Sequence, residues 1–151
     1  MTQARVRLGV ICTVGPLRFM PFLGQFRRDY PGIALTVTEH APEELIAPLL
    51  AGAIDVAVTS QPGPLPDRIE ARPIYRERFT VALPPGHPLA GETSVPLERI
   101  DGEDYVDRIN CEYGDYIGGL MAARGIAVNV VFQSAREEWV QMMIMSGAGI
   151  A

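Results

Sequence analysis

The stretch "LLAGAIDVAVTSQP", Leu49 to Pro62, decides the fold. An apolar run is broken by one carboxylate, Asp55, and stops abruptly at Thr59, Ser60 and Gln61. "AIDVAVT" has almost no polar alternation, which is the pattern of a parallel strand covered on both faces. Upstream, "PEELIAPLLAG" opens with a first-turn proline, places Glu43 and Glu44 at the positive end of a helix dipole, and closes on Gly52. Pro48 falls inside this helix, where it removes a backbone donor and predicts a kink.

Further upstream, "IALTVTE" predicts a strand with Ile33, Leu35 and Val37 on one face. Before it, Leu17, Met20, Leu23 and Phe26 recur at helical spacing after a start signal at Thr13 and Gly15-Pro16. In "RVRLGVI" the residues Val6, Leu8 and Val10 alternate with others, the mark of a strand. Strand, helix, strand, helix, strand points to an open, right-handed α/β sheet.

A second set follows. "IEARPIY" and "RERFTVALP" predict two strands, and "PPGHPLAGETSVP" is too rich in Pro and Gly for either element. The lobe boundary is placed there, giving a first lobe over 1–83 and a second over 84–151. "EDYVDRI" predicts a strand, "YGDYIGGLMAARG" a helix weakened by Gly118-Gly119, and "IAVNVVF" a strand. "SAREEWVQMMIMSGAGIA" predicts a helix whose Ser134 and Glu137 have capping-box spacing. The second lobe repeats the α/β logic and stops where a further strand is expected, so it reads as truncated.

Composition narrows the function classes. The 151 residues are 48% hydrophobic and 21% charged, with a formal net charge of −5. That balance argues against a nucleic-acid surface, which needs clustered Lys and Arg. No apolar run is long enough for a bilayer, and "MTQARVRLGV" lacks the core of a signal peptide. Cys12 and Cys111, His40 and His87 form neither a disulfide framework nor a metal pattern. A cytoplasmic protein without metal or other cofactor is the expectation.

Several stretches together carry a resemblance. "LLAGAIDVAV" resembles the "L..G.lD.ai" signature of the effector-binding domain of LysR-type transcriptional regulators. "LRFMPFLGQFRRDYPGIALTVTE" looks like that family's first helix, Tyr-Pro turn and second strand. "FTVALPPGHPLA" looks like its passage between lobes, and "MSGAGIA" like its "aG.Gia" turn. The resemblance spans nearly all of the chain, but not the family's N-terminal winged helix-turn-helix or its final segment, which returns to the first lobe. It implies two Rossmann-like lobes, similar to type 2 periplasmic binding proteins, with a small-molecule effector in the cleft between them. It also implies a homodimer, pairing through the helices of Leu17–Phe26 and Glu43–Leu50, and DNA contact only through the winged domain.

The residues lead to that cleft independently. In open α/β sheets, ligands bind beyond the carboxyl ends of the strands. Those ends are Cys12, Thr13 and Val14, then Thr59, Ser60 and Gln61, in the first lobe. In the second they are Arg108, Asn110 and Cys111, then Gln133 and Ser134. The expected effector-binding residues are therefore Thr13, Val14, Thr59, Ser60, Gln61, Arg108, Asn110, Cys111 and Ser134. Helix N-termini at Thr13 and Ser134 would add amides and partial positive charge, so the effector is expected to be anionic. Each residue also has a plainer role: Thr13 and Ser134 as helix caps, Arg108 as partner of Asp104, Asp107 or Glu112 on the surface. Cys111 invites a thiol-sensing reading, but the second lobe holds no second cysteine to resolve it. Met142, Met143 and Met145 beside Trp139 are expected to fill core, and His87 to sit in a turn.

Asp55 lies at the start of its strand, about 10 Å from the Thr59 end. It is expected to be a buried structural peg that accepts amides of the turn after Gly52. No G-x-S-x-G elbow, Ser-His-Asp context or phosphate-cradling glycine loop occurs, so no catalytic residue is assigned. The alternative function is a solute-binding protein of a transport system, which shares the lobed fold.

Overall fold

The computed structural model describes residues 4–151, which divide into two compact units, one ending at Glu70 and the other beginning at Ala71. In the first unit, β1 (Ala4–Ile11), α1 (Met20–Asp29), β2 (Ile33–His40), α2 (Pro42–Leu50) and β3 (Val56–Val58) follow one another. The sheet is parallel throughout, in the order β2-β1-β3. β1 pairs along its whole length with β2, from Ala4 opposite Ile33 to Ile11 opposite His40. Its other edge takes β3, with Leu8 opposite Val56 and Val10 opposite Val58.

This order decides which strand is buried. The central strand β1 buries Leu8, Val10 and Ile11. β3 is a short edge strand with Val56 exposed, so cover on both faces belongs to β1 and not to "AIDVAVT". Ile11 packs with Leu45 of α2 and Ile54, backed by Val14, Leu49 and Ala57. Helix α2 starts on Pro42, carries Glu43 and Glu44 in its first turn, and ends before Gly52, which takes a φ of 69°. Pro48 is tolerated because the helix stops two residues later. Its carbonyl accepts from the amides of Ala53 (2.8 Å) and Ile54 (3.3 Å), turning the chain into the strand.

The second unit contains β4 (Asp104–Arg108), α3 (Gly114–Ala123), β5 (Asn129–Ser134) and α4 (Glu137–Met145). β4 and β5 are parallel, with a register irregularity after Tyr105. Ile150 bridges to Tyr105 on the other side of β4. There Gly149 passes so close to Asp104 that a Cβ would meet the Asp104 carbonyl carbon at 2.8 Å. One core joins Ile100, Met121, Ile126 and Ile150, and another joins Val106 of β4 to Val140 and Ile144 of α4.

Four expectations are corrected here. "IEARPIY" and "RERFTVALP" form no strand; within them Ala82 exchanges both backbone hydrogen bonds with Ala151 (2.8 and 3.0 Å). Because Val81 and Leu83 pack on the Ile100–Ile150 core, residues 71–83 fall in the second compact unit. Ser134 ends β5 and forms no capping box: its hydroxyl accepts from the amide of Arg136 (3.1 Å), and α4 begins at Glu137. Trp139, Met142 and Met145 face solvent, since the core face of α4 is the Val140–Ile144 pair, four residues apart.

Candidate functional site

In an open α/β sheet the ligand-binding edge lies where the strand order reverses. The order β2-β1-β3 puts that reversal between β1 and β3. Their register sets Val10 beside Val58, so the residues that follow, Cys12–Val14 and Thr59–Gln61, emerge at one edge of the sheet. All six are partly buried, and none is a carboxylate. The turn after β1 is tight, closed by the Val14 amide on the Ile11 carbonyl (3.0 Å) and the Cys12 amide on the His40 carbonyl (2.9 Å). Gln61 spends its amide on its own loop, donating from Nε2 to the carbonyls of Gly63 (3.2 Å) and Pro64 (2.9 Å).

Thr13 caps no helix. A 3-10 turn begins at Pro16 after Gly15, and α1 begins only at Met20 after Phe19, neither with a side-chain cap. The positive end of α1 therefore lies well beyond Thr13, and hydroxyls and backbone amides, without the helix dipole, are what this edge offers an anion.

The second unit has its own strand-end set. Arg108 and Ser134 are register partners at the last positions of β4 and β5, and the Ile109 amide donates to the Ser134 carbonyl (3.2 Å). Asn110 turns the chain away with a φ of 61°, a conformation Asn accepts more readily than most residues. Cys111 follows it, partly buried and in no disulfide. Asp107 is held by Gln133, whose Nε2 donates to its carboxylate at 2.9 Å.

Arg108 does not lie on the surface, as a plain surface pair would require. Its side chain is only 11% exposed, and its Nε faces Oε2 of Glu137 at 3.5 Å, while Nη1 donates to the Ile109 carbonyl. Capping-box spacing assigns Glu137 to the helix start and gives no hint of its position over Arg108. The signal available was that Ser134 to Glu137 leaves one short turn between the end of β5 and α4.

Asp55 is structural, but not in the way expected. It is exposed, and its carboxylate takes the backbone amide, Nε and Nη2 of Arg7, not the amides after Gly52. These hydrogen bonds, the side-chain ones foremost, hold its carboxyl at about 2, well below the usual range. The Tyr105 phenol is pushed up, by burial first and then by the charges of Asp107 and Cys111. His87 sits in a turn, accepting at Nδ1 from the Leu89 amide (3.2 Å) with Nε2 toward Glu103.

Two surface depressions lie apart from the strand ends. One, of about 320 Å³, is lined by Pro84, His87, Glu103 and Gly149; the other, of about 510 Å³, by Leu23, Phe26, Ile33, Leu35 and Val37. Among the described residues, no group of His, Cys, Asp and Glu is arranged to hold a metal ion, and no helix is long and apolar enough to cross a membrane.

Comparison with known proteins places this architecture. A probable hydrogen peroxide-inducible genes activator of Mycobacterium avium is 45% identical over 98 residues, 65% of this chain and 31% of that protein. The chain spans between about a third and a half of the length of this and two other mycobacterial relatives of the same description. Two solved structures are similar over nearly the whole chain. HinK, a LysR family transcriptional regulator from Pseudomonas aeruginosa, has a TM-score of 0.83 at 28% identity, over 99% of this chain and 52% of that one. The CcmR regulatory domain of Synechocystis PCC6803, in complex with 2-PG, has a TM-score of 0.82 at 26% identity, over 98% and 71%. The sequence model of the LysR substrate binding domain matches residues 1–151. The chain belongs to that family, and its two α/β units have the periplasmic-binding-protein-like architecture of LysR effector-binding domains.

Proposed function

We propose that this chain senses a small anionic effector on behalf of a LysR-type transcriptional regulator, without catalysing a reaction, in the cytoplasm and as a homodimer. DNA is reached through a separate winged helix-turn-helix domain, as in the regulators it resembles. The observation that carries the reading is the reversal of strand order between β1 and β3, which gathers Thr13, Val14, Thr59, Ser60 and Gln61 at one sheet edge with no carboxylate among them. Hydroxyls and backbone amides favour a carboxylate or phosphate there. Arg108, Asn110, Cys111 and Ser134 are the second unit's contribution. That the CcmR regulatory domain was solved in complex with 2-PG supports a small-molecule ligand in this architecture. The matched relatives carry regulator names, so the transport alternative is not retained.

The test is a metabolite screen by thermal shift, since a ligand bound only by the folded state raises the melting temperature. Calorimetry on the hits then compares the natural chain with Thr13→Ala and Arg108→Ala. Acids and phosphates should dominate the hits. Hits that are all neutral or cationic, or affinities indifferent to both substitutions, refute the reading.

The name of the Mycobacterium avium relative supports a second reading, in which Cys111 responds to peroxide. Mass spectrometry after peroxide treatment decides it: selective, thiol-reversible oxidation at Cys111, absent in Cys111→Ser, would favour that reading over a metabolite.

A further inference from the structure

The carboxyl end of β4 leads into a group of aromatic rings. Tyr113 is the residue before α3, and Tyr116 lies in the first turn of that helix. Phe79, from the irregular segment that precedes Ala82, meets Tyr113 with ring centroids 5.0 Å apart and ring planes at 75°. Tyr116 meets Tyr113 at 6.3 Å and 78°. Both contacts are edge-to-face, so Tyr113 is flanked by two rings nearly perpendicular to it. All three rings belong to the second unit.

The outer rings stay in water: Phe79 is 65% and Tyr116 49% exposed, while Tyr113 is partly buried. One exposed ring on a surface needs no account, but two on either side of a third make contiguous apolar surface. Pinning the 71–83 segment to α3 takes only the Phe79–Tyr113 contact and leaves Tyr116 without a part. Their place in the unit is the second observation. Ligands in open α/β folds lie beyond the carboxyl ends of the strands, and the start of α3 stands at that end of β4, close in the chain to Arg108, Asn110 and Cys111. Glu112 and Asp115 lie on either side of Tyr113 in sequence, so this surface does not attract an acid group. It suits the other end of the ligand. We infer that Phe79, Tyr113 and Tyr116 form a stacking step for a flat ring, and that the effector is an aromatic acid. The inference rests on the anionic-effector reading above and narrows it to a chemical class. Phe79 and Tyr116 determine the specificity, because a flat ring completes offset or edge-to-face contacts with them that a saturated ring of similar size does not.

The experiment compares three acids of equal charge, acetate, cyclohexylacetate and phenylacetate, by calorimetry on the full chain. Phenylacetate should bind about two- to tenfold tighter than cyclohexylacetate, the range of an aromatic pair beyond its buried area, with acetate weakest. Phe79→Leu and Tyr116→Leu keep apolar side chains at exposed positions, so neither disturbs a core. Each should erase the preference for phenylacetate and leave the affinity for cyclohexylacetate as it was. In the natural chain, the ring signals of Tyr113 and Tyr116 in NMR spectra should shift by ring current as phenylacetate is added. Equal affinity for the two ring acids, or a preference that survives both leucine variants, overturns the stacking step and leaves the anionic-effector reading intact. Binding of none of the three overturns the step, and overturns the anionic reading as well where no acid of the thermal-shift screen binds.

Discussion

Arg7 and Asp55 lock β1 to the start of β3 from both backbone and side chain. The Asp55 amide donates to the Arg7 carbonyl (2.8 Å), the Arg7 amide returns a bond to the Asp55 carboxylate (2.8 Å), and the guanidinium closes on the same carboxylate at 3.0 and 2.6 Å. Because the folded carboxyl titrates near 2, the native state binds fewer protons than the unfolded state between about pH 4 and pH 2. The clasp therefore stabilises fully above about pH 4 and is lost as pH falls toward 2. Asp55→Asn should melt lower than the natural chain at pH 7, with the gap shrinking as the pH drops through that window. Thermal melts of both proteins at stepped pH check it, and a gap that is constant with pH contradicts it.

Two glycines should respond in opposite directions. At Gly149 a Cβ meets the Asp104 carbonyl group, which is backbone and cannot swing aside. Gly149→Ala should destabilise by about 1–3 kcal/mol, the cost of overpacking. Gly118 lies in α3 with open space around its missing Cβ, so Gly118→Ala should stabilise by about 0.5–1 kcal/mol through helix propensity. Urea denaturation measures both.

At the proposed first-unit edge, Thr13→Ala and Ser60→Ala should each weaken an anionic ligand by about 1–3 kcal/mol, the range for a hydrogen bond to a charged group. Val56→Thr, an exposed change at the other end of β3, should leave affinity unchanged. Calorimetry with the best acid from the screen separates the cases.

The homodimer would use α1 and α2, with the exposed edge of β2 beside α1. Phe19, Phe22, Phe26 and Tyr30 form a continuous aromatic run, with ring centroids 6.5, 5.7 and 5.2 Å apart. Met20, Phe22 and Val37 are exposed beside it, more apolar surface than a surface helix needs. Light scattering at micromolar concentration should show a dimer, and Phe22→Glu should shift it to monomer. A monomeric natural chain would count against the proposal.

What could be read from the sequence was what local chemistry decides. Pro42, Glu43, Glu44 and Gly52 framed α2 correctly because caps and dipoles act within one turn. β1, β2, β4, α3 and β5 likewise follow their apolar periodicity. Misread features depended on partners distant in the chain. "RERFTVALP" has strand composition, yet it forms no strand, and Ala82 pairs instead with Ala151, 69 residues further on. Asp55 chose Arg7 across the sheet, and Glu137 chose Arg108 across the β5–α4 turn. Of the candidate site, the strand-end positions could be read from the element order, but neither the pairing of Arg108 nor the missing cap at Thr13 could.

The order β2-β1-β3 also sets a timetable for the nascent chain. Arg7 precedes its partner Asp55 by 48 residues, so at 5–20 residues per second β1 waits on the order of 2–10 s on the ribosome for its second neighbour. Throughout that delay the apolar run Leu8–Ile11 has an unpaired edge, an invitation to pair with another chain. Arg5 and Arg7 stand directly before that run, as charged gatekeepers against such pairing. When Asp55 emerges, the side chain that guarded the edge becomes the clasp that closes it.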